Sequence, residues 1–225
     1  MPEIIVHHLN NSRSQRVLWL LEELELPYSL RRYERDAETL LAPAALREVH
    51  PLGKSPVIED GQRVVAESGA IVEYLAVRHG NGRLLPEPGS DDYWRCRYFM
   101  HFAEGSAMPP LLLKLVFDRV ASAKMPFFAR PIARGIADKV LKGFVLPQIR
   151  AQRGYLEAEL GDREWFAGRD FSIADIMMSF PLEAAKSRGG LGEESPNLLA
   201  WLQRIHARPA YQRALQAGGD YAYAD

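Results

Sequence analysis

The chain has little that would define it by crosslinking, membrane insertion or bulk charge. Of its 225 residues only Cys96 is a cysteine, which excludes an intrachain disulfide framework and a Cys-x-x-Cys redox pair. No stretch approaches about 18 consecutive apolar residues, so no transmembrane helix is expected. The formal net charge is -1, too balanced to draw the whole chain to nucleic acid or to an anionic membrane. Neither partner is expected, and either role would need a local patch. The six histidines show no metal-ligand spacing. His7 and His8 are adjacent and would point to opposite faces of a strand, so no metal is expected. Internal repeats and low-complexity segments are missing as well. The start, Met1-Pro2-Glu3-Ile4-Ile5, lacks a basic segment followed by a long apolar one and does not read as a signal peptide. A reducing cytoplasm is the expected compartment.

What is present is an ordinary globular composition, 47% apolar and 25% charged, with length for one large or two modest domains. Glu3 to His8 reads as a short buried strand. After the polar turn Asn10-Asn11-Ser12, Val17, Leu18, Leu20, Leu21 and Leu24 recur at helical spacing up to Pro27. Tyr28 to Tyr33 reads as a second strand and Leu40 to Val49 as a weaker helical segment. Val57-Ile58-Glu59 and Arg63-Val64-Val65-Ala66 flank Asp60-Gly61, a hairpin signal. A helix then begins near Ser68, with Ile71, Val72, Tyr74, Leu75 and Val77 expected on its apolar side. Leu85-Pro86-Glu87-Pro88-Gly89-Ser90 is a linker candidate. Beyond it strand patterns vanish: Tyr93 to about Phe117, Ile132 to Leu160, Ile173 to Ser187 and Leu198 to Ala207 read as helical. The Pro109-Pro110 pair is expected to kink or break the first of these. The fold class is therefore a compact α/β layer over residues 1–82, a linker over 83–91 and an all-α domain over 92–225.

Four short signals carry chemistry or folding. Asn11-Ser12-Arg13-Ser14-Gln15-Arg16 opens the first helix, where Ser12 taken alone reads as a cap. Lys54-Ser55-Pro56-Val57 sets a proline just before the third strand, which taken alone is a turn proline. Glu67-Ser68-Gly69-Ala70-Ile71 starts the third helix. Phe171-Ser172-Ile173-Ala174-Asp175-Ile176 has a capping-box form, and an alanine at Ser172 should cost about 1 kcal/mol.

In this order, and over nearly the whole chain, the four signals resemble the cytosolic, serine-type glutathione S-transferases. His50-Pro51-Leu52-Gly53-Lys54 and the stretch from Ala103-Glu104-Gly105-Ser106 to Phe117 look like a bacterial or fungal branch. The resemblance implies a thioredoxin-like front domain that holds glutathione as co-substrate and a helical rear domain that helps hold a hydrophobic electrophile. It implies a cis Ser55-Pro56 bond, with the Ser55 backbone pairing with the cysteinyl unit as an added strand would. The Ser68 hydroxyl and its helix start would take the γ-glutamyl carboxylate, and Glu67 the ammonium. Lys54, with His50 as a second candidate, would meet the glycyl carboxylate.

A free thiol has a pKa of about 8.5 and attacks as thiolate. Lowering that by about two units supplies roughly 2.7 kcal/mol of thiolate preference. The implied donor to sulfur is the Ser12 hydroxyl, although Asn10, Asn11 and Ser14 crowd it and an Asn amide could also donate. Arg16 is read as a structural partner, and Cys96 as a packed core thiol. Asn11, Met108, Leu112 and Phe117 are candidates for the electrophile pocket. The implied activity is conjugation, with hydroperoxide reduction as a side activity, in a detoxifying homodimer. Glutathione-dependent isomerisation or dehalogenation, or a non-catalytic scaffold of the same fold, are the alternatives. One feature stands outside the resemblance. From Arg119 to Arg153 the chain carries Arg119, Lys124, Arg130, Arg134, Lys139, Lys142, Arg150 and Arg153 against Asp138 alone. This reads either as a solvated face or as an electropositive rim that draws anionic substrates.

Overall fold

The computed structural model describes residues 3–36, 39, 41–188 and 190–224. In the front half, β1 (Ile4–Leu9), α1 (Ser14–Glu23) and β2 (Tyr28–Tyr33) are followed by α2 (Leu46–Val49), the hairpin β3 (Val57–Asp60) and β4 (Arg63–Ala66), and α3 (Ser68–His79). The sheet order is β2-β1-β3-β4, with β1 parallel to β2 and antiparallel to β3. Gly61 turns the hairpin at φ +62°, a conformation that glycine adopts without a Cβ clash. The α2 helix is shorter than the Leu40–Val49 expectation. Pro43 biases the residue before it away from helical geometry, and Leu40 lies outside the described residues.

Helix α1 is buried on every side, from Ser14 to Leu21, because the sheet and α3 cover one flank while two rear helices, α8 (Ile173–Ser187) and α10 (Pro209–Gly218), cover the other. From Val17 to Leu21 it is accordingly apolar all round, while the buried Ser14 and Arg16 of its first turn are held by hydrogen bonds. On α3, Ile71, Val72, Leu75 and Ala76 are fully buried, whereas Val77 is exposed. At about 100° per residue Val77 points away from the line of Ile71 and Leu75, which corrects its expected place on the apolar side.

The rear half contains α4 (Asp91–Phe102), α5 (Met108–Ser122), α6 (Arg130–Val140), α7 (Leu146–Glu159), α8 (Ile173–Ser187), α9 (Pro196–His206) and α10 (Pro209–Gly218). Pro109-Pro110 does not end the first long helix. A π-helical turn, Ala103–Ala107, joins α4 directly to α5. A proline removes the bond to the carbonyl four residues back, and the wider turn makes room for this. For Pro110 that carbonyl belongs to Ser106, which accepts from Gln152 Nε2 at 2.8 Å. The same device recurs at Leu141–Val145, ahead of Pro147. It recurs in another form in α8, where Pro181 lies inside the helix. The Met177 carbonyl, four residues back, accepts from Arg16 Nη1 at 2.8 Å. Arg16 therefore fastens the first helix of the front half to a rear helix.

Helix α10 escaped the sequence reading, which stopped at Ala207. Its signal was Pro209 at the first helical position, followed by Ala210, Tyr211 and Ala214 on one buried face. Among the described residues no helix is long and apolar enough to cross a membrane.

Candidate active site

The residue before α1, the loop before β3 and the start of α3 converge on one cavity of about 300 Å³. It is lined by Arg13, His50, Leu52, Lys54, Ser55, Pro56, Ala66, Glu67, Ser68 and Glu104. Six sequence candidates, His50, Lys54, Ser55, Pro56, Glu67 and Ser68, thus lie together. The Ser55-Pro56 peptide is cis, and Ser55 Oγ donates to the His7 carbonyl at 2.8 Å, tying this loop to β1. Glu67 sits at φ +72° immediately before α3 and gives that helix no side-chain cap. A non-glycine residue in the left-handed region costs about 1–3 kcal/mol and clusters at functional sites. Ser68 is buried at the first helical position.

Two cavity residues, Arg13 and Glu104, had no role in the sequence reading. Arg13 Nε donates to both carboxylate oxygens of Glu104, each at 2.9 Å, and Arg16 donates to the same group. Burial alone would raise the Glu104 carboxyl, but Arg16 and Arg13 outweigh it and hold the group below its ordinary value. The π-helical turn carries Glu104, so a backbone irregularity of the rear half supplies one wall of a front-half cavity. The only sequence hint was the Ala103-Glu104-Gly105-Ser106 stretch. The cavity wall now presents cations at Arg13 and Lys54 and carboxylates at Glu67 and Glu104. Such a set suits a ligand that itself carries both carboxylates and an ammonium.

Ser12 and Asn11 adjoin the cavity through Arg13 but are not among its lining residues. Ser12 is buried; its Oγ lies 2.7 Å from Ser14 Oγ and accepts from the Ser14 N–H. Ser14 Oγ in turn lies 2.9 Å from His8 Nδ1. Burial, aided by Arg32, pushes His8 down to about 4 against a hydrogen bond to the Gly218 backbone. Its ring is neutral at pH 7, and Nδ1 shares one hydrogen bond with Ser14 Oγ. Ser14 Oγ also accepts from the Leu9 N–H and donates to the Leu9 carbonyl, each at 3.2 Å, so Ser14 ties Ser12 to the end of β1. Asn11, at φ +47°, accepts from Ala222 N through Oδ1 at 2.7 Å. This fixes an amide whose NH2 group is a donor.

The electrophile candidates are not gathered around this cavity. Met108 packs in a small cluster with Leu111, Phe180, Ala185 and Tyr221; Leu112 is exposed and Phe117 half-buried on α5. Cys96 is a buried free thiol, pushed up to about 11 by burial. Among the described residues no group of three or more His, Cys, Asp or Glu could hold a metal ion.

A thioredoxin-like sheet with a cis-proline loop, joined to a helical body whose α8 begins on a capping box, defines the two-domain glutathione transferase fold. Residues 12–78 match the glutathione S-transferase N-terminal domain family and residues 121–209 the C-terminal domain family. Glutathione S-transferase 1 of Saccharomyces cerevisiae is 34% identical over 219 residues, 94% of this chain and 93% of the yeast protein. Glutathione S-transferase 3 of Schizosaccharomyces pombe is 33% identical, over 95% of this chain and 87% of its own. Among solved structures, a glutathione S-transferase from Actinobacillus pleuropneumoniae superposes with a TM-score of 0.79 at 29% identity, over 97% of this chain and 94% of that one. The chain belongs to the glutathione S-transferase family.

Proposed function

We propose that the protein binds glutathione in the cavity at the start of α3, ionises its thiol and adds the thiolate to an electrophilic small molecule. Hydroperoxide reduction is a second activity of the same thiolate. The observation that carries this reading is the gathering of Lys54, Ser55, Glu67 and Ser68 around one opening beside an uncapped helix start. The γ-glutamyl carboxylate takes the Ser68 hydroxyl and the free N–H groups of α3. Its ammonium takes Glu67. The cysteinyl backbone pairs with Ser55, and the glycyl carboxylate meets Lys54, with His50 beside it.

That placement leaves the sulfur near the beginning of α1, where the positive end of the helix favours thiolate. The thiol proton passes to water; the thiolate then forms a carbon–sulfur bond as the leaving group departs with its electron pair. Ser12 supplies the hydroxyl donor by directing its proton to the sulfur, and the Asn11 amide is the alternative donor. Residues 1–82 form the glutathione-binding unit, and 92–225 the unit that brings Met108, Leu112 and Phe117 to the electrophile. The protein acts in detoxification in the cytoplasm as a homodimer. The exposed Val77 of α3 and Trp94 and Tyr98 of α4, on helices linked by the Arg97–Glu73 pair, supply an apolar face for a second copy.

The test measures glutathione binding by calorimetry and thiolate formation by ultraviolet absorbance in wild type, Ser12→Ala and Asn11→Ala. An aryl halide and a hydroperoxide are then assayed. Ser12→Ala should keep binding while losing roughly 10- to 100-fold in conjugation rate, about 1.4–2.7 kcal/mol of thiolate stabilisation. Full activity in Ser12→Ala with loss in Asn11→Ala moves the donor role to the amide. Binding without turnover in wild type makes the protein a scaffold, and no binding removes the reading altogether.

A further inference from the structure

The chain as a whole offers no attraction to a lipid surface, but one local region does. Between α5 and the middle of α6 the structure turns apolar side chains outward: Phe127 is 81% exposed, Phe128 67%, Ile132 65% and Ile136 55%. Phe128, Ile132 and Ile136 recur at intervals of four, the spacing that aligns side chains along one line of a helix. Phe127 and Phe128 lie edge to face in the turn leading into α6, with ring centroids 5.7 Å apart. Helix α6 already spends its other face on α5, through buried Ala137 and half-buried Ala133 and Val140. The outward line is therefore surplus to the fold. Around it stand Lys124, Arg130, Arg134, Lys139 and Lys142, all exposed. Asp138 is the one carboxylate between Arg119 and Arg153, and it is engaged by Lys142 at 3.1 Å.

We propose that the turn and helix from Lys124 to Lys142 form a seat for an anionic lipid bilayer surface. Phe127, Phe128, Ile132 and Ile136 enter the boundary between headgroups and acyl chains, and the surrounding cations lie at the level of the phosphates. An amphipathic helix with a cationic rim and aromatic side chains at its apolar edge has the composition that binds in the plane of that interface, and clustered Lys and Arg favour anionic leaflets. A second copy of this chain is a poorer occupant, because a two-fold contact sets the same patch on itself and would press these cations against their own copies. An acidic protein surface would meet the cations but would not take four separate apolar side chains into hydrocarbon. No residue of this surface lines the glutathione cavity, so the inference stands or falls apart from the reading of that site.

The full chain is sedimented with sucrose-loaded vesicles of pure phosphatidylcholine, or of phosphatidylcholine carrying about 30% phosphatidylglycerol. Each is run at about 0.05 M and about 0.5 M salt. Binding to the anionic vesicles at low salt should exceed binding to neutral vesicles, or at high salt, by about 10-fold or more. Phe127→Ser/Phe128→Ser should weaken it by about 10-fold, and Lys124→Glu/Arg130→Glu/Arg134→Glu should abolish the preference for anionic lipid. Both variants should melt as wild type does and conjugate a soluble aryl halide at the wild-type rate, which separates lost docking from lost folding. Failure of the wild type to sediment with anionic vesicles overturns the proposal. So does equal binding to both vesicle types, or unchanged binding by the phenylalanine variant. A phenylalanine variant that changes oligomeric state in light scattering, with no vesicle binding by the wild type, gives the surface to a second copy and overturns it as well.

Discussion

Helix α8 begins on a complete set of partners, whereas α3 begins without a side-chain cap and with its preceding residue in a left-handed conformation. At α8, Ser172 Oγ accepts from Ala174 N, and Asp175 accepts from the Ser172 and Phe166 N–H groups and from Trp201 Nε1. Every atom there serves the chain itself, in a fully buried setting. At α3, Glu67 at φ +72° lines a cavity without capping the helix, and the first N–H groups of the helix are left to whatever fills it. Helix beginnings carry the same unsatisfied donors everywhere. What differs is whether the fold or a ligand completes them. One beginning is spent on stability and the other is held in reserve for binding.

The comparison breaks first at Asp175. Replacing it with alanine strands the Phe166 and Ser172 N–H groups and Trp201 Nε1 and removes the partner of the Ser172 hydroxyl, each buried donor being worth about 1–3 kcal/mol when left unpaired. Asp175→Ala should therefore destabilise by about 3–5 kcal/mol in denaturant unfolding, against about 1 kcal/mol for Ser172→Ala. Glutathione affinity per folded molecule should not change. If Asp175→Ala weakens glutathione binding in molecules that remain folded, the division of labour between the two helix starts is wrong.

A second contrast lies in pH. Burial, only partly offset by hydrogen bonds from Phe166, Trp201 and Ser172, raises Asp175 to about 6. Its proton is held more tightly in the folded state. The stability it contributes is present below its ordinary carboxyl pKa and is lost as pH rises through about 6. His8 does the reverse. With its pKa depressed to about 4, its contribution is present above about 6.5 and is lost as pH falls through 4. Each shift corresponds to about 3 kcal/mol, so the two slopes oppose one another across the same window. His8→Gln removes one of them. The variant's melting temperature, taken relative to wild type, should rise as pH is lowered from about 7 to about 4.5. A difference that stays constant with pH would mean that His8 is not buried in its neutral form.

Local signals made much of this legible beforehand. Tyr28–Tyr33 and the hairpin around Asp60-Gly61 occupy the expected positions because alternation and turn chemistry are short-range properties. The capping box at Ser172 is equally local. Glu104 was invisible as a site residue because its role depends on a π-helical turn and on two arginines 88 and 91 residues away. The orientation of Ser12 was invisible too. Its Oγ is held against Ser14, Ser14 against His8 and the Leu9 carbonyl, and His8 lies beside Gly218 at the far end of the chain. Pro109-Pro110 shows the same limit from the other side. The local rule predicts a kinked or broken helix; the helix runs on through a π-helical turn, and a remote glutamine, Gln152, takes the freed carbonyl.

The reserve at α3 can be measured directly. Glu67→Gln keeps the shape and the backbone conformation but removes the charge that faces the ammonium of glutathione. Charge-assisted hydrogen bonds contribute about 1.5–3 kcal/mol, so affinity should fall by roughly 10- to 100-fold in calorimetry with little change in melting temperature. Lys54 is the smaller case. It lies exposed on the cavity rim, where water competes with the pairing and salt screens it. Lys54→Ala should weaken glutathione by only about 3- to 5-fold, roughly 0.6–1 kcal/mol, and most of that difference should vanish at high salt; Glu67 is exposed as well, so its deficit should also shrink with salt while staying the larger of the two. Two deficits of equal size would mean that Glu67 meets glutathione no better than Lys54 does, and the left-handed backbone before α3 would then have no binding role to explain it.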